Sequence, residues 1–97
     1  MFKSILQVYP EENYQVYLYF NTGEVRLFDA TEIVGKGVFK VLADKNFFVE
    51  RCTVLNHTLA WDVSGNYDPT QCLDLDPEVL YEKSTRVKDP LAEKHIS

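Results

Sequence analysis

The chain has 97 residues, 45% of them hydrophobic and 13% aromatic, which is one domain's worth of sequence with enough apolar side chains for a packed core. Its 10 Lys and Arg against 15 Asp and Glu give a formal net charge of −5, and no basic run appears, which excludes the electrostatic footprint of a nucleic-acid binder. No apolar stretch approaches the roughly 20 residues needed to cross a bilayer, and "MFKSILQVYPEEN" is too short in apolar residues for a signal peptide, so a cytoplasmic location without membrane or direct nucleic-acid contact is expected.

"SILQVYP" (4–10) is a short apolar run ending at a proline and predicts a first strand. "YQVYLYFN" (14–21) is rich in β-branched and aromatic residues, which favour a second strand. Alternation there sets Val16, Leu18 and Phe20 on one face and Gln15, Tyr17 and Tyr19 on the other. "NTGE" is a turn with Gly23 at positive φ. "EVRLFDA" (24–30) returns, with Val25 and Leu27 facing one way and Arg26 and Phe28 the other. Residues 14–30 are thus expected to form a β-hairpin.

"DATEIVGKGVFKVLAD" (29–44) changes to helical spacing at Ile33, Val34, Val38, Val41 and Leu42, with Asp29 or Thr31 able to cap the start. Gly35 and Gly37 interrupt it, which predicts a short turn, a break and a helix over about 37–43. Asp44 then caps a further helical turn that buries Phe47 or Phe48. "CTVLNHTLAWDV" (52–63) reverts to strands joined at Asn56 and His57, residues that tolerate the left-handed conformation of a two-residue hairpin loop. "SGNYDPTQ" (64–71) reads as a loop, "CLDLD" (72–76) as a brief strand and "PEVLYEKS" (77–84) as a short helix. Apolar content falls afterwards, so residues 1–84 are expected to form the domain and 85–97 a frayed or disordered tail. The expected fold is α+β in two layers, an antiparallel sheet with short helices packed on one face.

Asp62, Asp68, Asp74, Asp76, Glu78 and Glu82 occur between 62 and 82 without a single Lys or Arg. Asp74, Asp76 and Glu78 alternate as at the start of a calcium loop, but Val79 stands where that loop needs glycine and Thr85 where it needs glutamate. A helix start accounts for more residues. Asp76 is the N-cap, Pro77 the first helical residue and Glu78 an acid in the first turn, while Val79, Leu80 and Tyr81 pin the helix to the core. No metal site is expected.

The one-sign field over this stretch still suits an oppositely charged partner, with Asp62, Asp68 and Asp74 as its candidate contacts. A second candidate surface is the face of the hairpin turned away from the helices. Tyr17, Tyr19 and Phe28 would make it aromatic, suited to a partner protein or a second copy of the chain.

Catalytic chemistry has little to stand on. His57 belongs to a turn and His95 to the tail; Cys52 and His57 lie on a strand and its turn with nothing to orient a base. Cys52 and Cys72 lack CxxC spacing and are expected as free thiols. "VGKGVF" lacks the frame of a phosphate-binding loop. No catalytic residue and no cofactor is assigned, and an enzyme is not expected.

"YLYFNTGEVRLFDA", "GVFKVLADKNFF", "LAWD" and "LDLDPEVLY", in that order, resemble the small bacterial domain-of-unknown-function family 2442. The positions of its pattern are held by Phe20, Gly23, Glu24, Phe39, Leu42, Phe48, Trp61, Asp76, Leu80 and Tyr81, and the likeness covers residues 1 to about 82. The resemblance implies an α+β domain with no known catalytic residues. It also implies two-gene modules of toxin–antitoxin type; the helix-turn-helix domain of some relatives has no counterpart in these residues. The expectation is therefore a non-enzymatic protein–protein interaction domain, the acidic, antitoxin-like member of such a module. The alternative is a small-ligand or divalent-metal-binding domain using the 62–82 acidic loop.

Overall fold

A computed structural model describes residues 3–63 and 72–90, apart from the side chains of Val38, Cys72 and Asp74. Three strands come first: β1 (Ile5–Pro10), β2 (Gln15–Phe20) and β3 (Val25–Asp29). Along β2 the alternation resolves as expected, with Val16, Leu18 and Phe20 buried and Gln15, Tyr17 and Tyr19 half-buried on the other face. Gly23 closes the β2–β3 turn at φ +91°, a conformation that costs a side-chain-bearing residue strain. Val16 pairs with Phe28 and Leu18 with Arg26, so Phe28 belongs to the buried face and not, as the sequence suggested, to the aromatic face opposite. At the start of β1 the register shifts between Ile5 and Gln7, leaving Leu6 65% exposed.

Asp29 ends β3 by accepting a hydrogen bond from the Thr31 N–H at 3.0 Å, which caps a 3-10 helix over Ala30–Glu32. A second 3-10 helix, Gly37–Ala43, occupies the segment where periodicity predicts a helix. Gly37 enters it at φ +53° and Asp44 leaves it in extended conformation. The bonds at its two ends, from the Phe39 N–H to the Lys36 carbonyl and from the Asp44 N–H to the Val41 carbonyl, span three residues, as in 3-10 turns and not in an α-helix. Asp44 then caps α1 (Lys45–Glu50), its carboxylate accepting from the N–H groups of Asn46 and Phe47, and α1 buries Phe48.

Strands β4 (Cys52–Leu55) and β5 (Thr58–Asp62) turn through Asn56 and His57 at φ 51° and 65°, the left-handed pair a two-residue hairpin loop requires. All five residues of β5 are buried. The Trp61 indole N–H donates to the Phe48 carbonyl at 3.0 Å, and its ring packs on that of Phe48 at 5.4 Å. β6 (Cys72–Asp74) pairs with β5. Helix α2 (Pro77–Lys83) starts as expected, with the Asp76 carboxylate accepting from the Glu78 N–H at 2.8 Å and Pro77 first in the helix. Leu80 is buried, whereas Val79 is turned outward.

The chain does not fray at Ser84. Thr85–Val87 forms β7, antiparallel to β3, which corrects the expected tail at least as far as Val87. Residues 91–97 lie outside the described residues.

The α+β class and the antiparallel pairing are as expected, but the strands divide between two sheets, one ordered β1-β2-β3-β7 and the other β4-β5-β6. The Ile5 N–H donates to the His57 carbonyl at 2.8 Å and joins the two. One core cluster draws Val16 and Leu18 from the first sheet, Leu59 and Trp61 from the second, Phe48 from α1 and Leu80 from α2. The four-stranded sheet therefore has one face against the core and one turned away from it.

Candidate functional site

On the core side, α2 meets the sheet through a polar knot. Arg26 is on the buried face of β3 because it pairs with Leu18. A guanidinium there must be satisfied in place. Its Nε donates to the Ser84 hydroxyl at 2.9 Å, Nη2 to the Ser84 carbonyl at 2.7 Å and Nη1 to the Glu24 carboxylate at 3.0 Å. The guanidinium also lies over the Tyr81 ring, 4.1 Å from its centroid, with the Lys3 ammonium against the same ring at 4.4 Å. Phe20 meets Tyr81 edge-on at 5.3 Å. The Tyr81 hydroxyl donates to Glu24 at 2.7 Å, closing the ring of contacts.

Glu24 is held below its ordinary value of 4.5, first by the Tyr81 hydroxyl and then by Arg26 and Thr22, against the opposing pull of desolvation. A carboxyl depressed on folding adds stability that is present above the unfolded pKa and disappears as pH falls through the folded one. Asp29, depressed by Thr31, acts with the same sign. Urea midpoints measured from pH 6 down to pH 3 are therefore expected to fall in the wild type. In Glu24→Gln the fall is expected to be shallower, though not abolished, since Asp29 remains.

The opposite face of the same sheet carries the predicted tyrosines. Register places Tyr9 beside Tyr17, Tyr17 beside Leu27, Tyr19 beside Val25, and Val25 beside Val87, an apolar and aromatic band running across all four strands. Tyr9 and Tyr17 meet edge to face at 6.2 Å. The Tyr19 hydroxyl donates to Asp89 at 2.8 Å. Burial, and then Asp89, push the Tyr19 phenol above its ordinary range. The core cluster and the half-buried side chains packed on it include Tyr14, Phe39 and Tyr81, but none of Tyr9, Tyr17, Tyr19, Val25, Leu27 or Val87.

The acidic candidates fare differently. Asp62 is 2% exposed at the end of β5, its N–H donating to the Arg51 carbonyl and its own carbonyl accepting from Arg51 Nη1. It is not the surface charge expected, because pairing on both sides encloses β5. Asp74 pairs with Ala60 on β6, and Asp68 lies outside the described residues, as does the rest of 64–71. The carboxylate of Asp76 is engaged as a helix cap. Among the described residues no three His, Cys, Asp or Glu side chains gather as metal ligands. Cys52 is free, and burial pushes its thiol up to about 12, far from a reactive thiolate.

Sequence reasoning missed the Arg26 knot. A lone arginine amid β-strand alternation looks like a solvent-facing residue, and only the burial of its neighbours Leu18 and Phe28 marks it otherwise.

Among the described residues no helix is long and apolar enough to cross a membrane. No curated protein and no solved structure matches the chain. The positions that carry the family likeness all have work in this fold. Phe20, Leu42, Phe48, Trp61 and Leu80 are core and Phe39 packs on it; Gly23 makes the turn, Asp76 caps α2, and Glu24 and Tyr81 close the knot. The model of the family described as protein of unknown function (DUF2442) matches residues 5–86, and the chain belongs to that family.

Proposed function

We propose that this domain is a non-enzymatic protein-binding module that docks its partner on the tyrosine face of the four-stranded sheet. The observation that supports it is the band of Tyr9, Tyr17, Tyr19, Val25, Leu27 and Val87, contiguous across four strands and outside the core cluster. Tyrosine suits such a surface, offering a large apolar body with few rotors and a hydroxyl for the wet rim. The net charge of −5 favours a basic partner, in keeping with the acidic, antitoxin-like member of a two-protein module. With Asp62 buried, that preference rests on the overall field of the domain more than on an acidic contact patch.

Tyr17→Asp tests the reading, because Tyr17 lies mid-band and, unlike Tyr19, does not tie down Asp89. Tagged wild type captured from its native host is expected to retain a stoichiometric protein, released at high salt. The variant, with an unchanged circular dichroism spectrum, is expected to bind that protein at least about tenfold more weakly, as for loss of an aromatic anchor. Equal retention by both forms would remove the tyrosine face from the interaction. Loss of self-association alone would identify the partner as a second copy.

A further inference from the structure

A different part of the molecule carries a small-molecule site. We infer that the cleft between the end of β3 and the end of α2 binds a small zwitterion with an apolar side chain, of which a free α-amino acid is the simplest case. The cleft has a volume of about 300 Å³ and is lined by Phe28, Asp29, Glu32, Ile33 and Lys83. That is near the lower end of the roughly 300–1,000 Å³ range of ligand pockets, enough for a ligand of amino-acid size. Phe28 and Ile33 supply an apolar wall, and Phe28 is otherwise buried in the core.

The charges around that wall set the ligand's chemistry. Glu32 comes from the 3-10 helix Ala30–Glu32, Asp29 from the end of β3 and Lys83 from the last turn of α2. Among the described residues none forms an ion pair with any of the three, whereas Glu24 pairs with Arg26 and Glu78 with Lys3. Asp29 is already fixed by its cap, Oδ1 accepting from the N–H and hydroxyl of Thr31. A purely cationic ligand would meet Lys83, and a purely anionic one would meet two carboxylates. A molecule bearing both an ammonium and a carboxylate satisfies both signs, the ammonium toward Asp29 and Glu32 and the carboxylate toward Lys83. Its side chain then lies along Phe28 and Ile33.

Isothermal titration of the full chain at pH 7 with leucine and phenylalanine tests this, with N-acetyl-leucine lacking the ammonium and leucinamide lacking the carboxylate. The free amino acids are expected to bind, and each blocked derivative to bind at least about tenfold more weakly, as for loss of a charge-assisted hydrogen bond. Glu32→Gln is expected to reproduce the effect of acetylation and Lys83→Met that of amidation. Both residues are exposed, so the melting temperatures of the two variants should match the wild type and show that any loss is local. No binding of either amino acid up to tens of millimolar would overturn the inference. So would binding that survives both derivatives and both variants, or leucinamide binding where leucine does not, which would mark a cation site. None of these outcomes bears on the tyrosine face, which shares no residue with the cleft.

Discussion

Trp61→Ala is expected to lower the stability of the domain by about 4 kcal/mol, the size of loss typical of a large aromatic removed from a core. Trp61 is 0% exposed, in a strand whose every residue is buried. Its removal leaves a void against Phe48, and the Phe48 carbonyl loses the indole donor. A domain of this length has on the order of 5–15 kcal/mol in total, so one substitution cancels a large part of it. The melting temperature should fall by roughly 15–30 °C at the usual slope for small domains. Trp61→Phe, which keeps an aromatic ring but not the donor, should cost less than half as much. Far-UV circular dichroism is the measurement to use, because Trp61 is the only tryptophan and the substitution removes the fluorescent reporter. A loss under about 1 kcal/mol in the alanine variant would mean that the site collapses around the void, contrary to a close-packed core.

Leu80→Ala is expected to cost about 3 kcal/mol, and to act on one part of the fold before the rest. Helix α2 has seven residues, far fewer than an isolated helix needs to persist in water. Its Asp76 cap contributes only about 1 kcal/mol. Leu80 is the buried residue that holds it down. Without that anchor, Tyr81 and Ser84 lose their alignment with Arg26 and Glu24, and β7, which follows directly, loses its support. Amide exchange should therefore accelerate across 77–87 well beyond the increase seen in β2. A uniform increase along the chain would instead show that α2 opens only with the whole domain.

The parts of this fold that could be read from sequence are those where the cause is local. Val16, Leu18 and Phe20 alternate with Gln15, Tyr17 and Tyr19, and a period of two admits one burial pattern once a core exists. Asp44 and Asp76 cap because the helical N–H groups after them need an acceptor, and Asn56 and His57 turn because the loop between β4 and β5 demands left-handed residues. What local pattern does not encode is partnership over distance. Thr85–Val87 is short and polar and becomes a strand only because β3 offers it an edge. Periodicity at Ile33, Val34 and Leu42 shows that this segment touches the core, without deciding between α and 3-10 turns, and Val41, which fits the same spacing, is turned outward.

The candidate sites follow the same division. Tyr17 and Tyr19 were legible by alternation. Asp62 was misjudged because charge suggests exposure, and its enclosure depends on strands that pair on both sides. The cleft of Asp29, Glu32 and Lys83 joins residues 54 positions apart in sequence (83 − 29 = 54), which no reading of neighbouring residues brings together.

The pairing of β7 with β3 also bears on how the protein is made. During synthesis the β2–β3 hairpin leaves the ribosome more than fifty residues ahead of Thr85–Val87. Until those residues emerge, the outer side of β3 offers unsatisfied amides and carbonyls to any passing strand. The last described strand of the domain is thus a shield against misassembly as well as part of the sheet. A nascent chain interrupted before Thr85 should be sticky rather than simply unfolded, and should depend on chaperones to a degree that the finished protein does not.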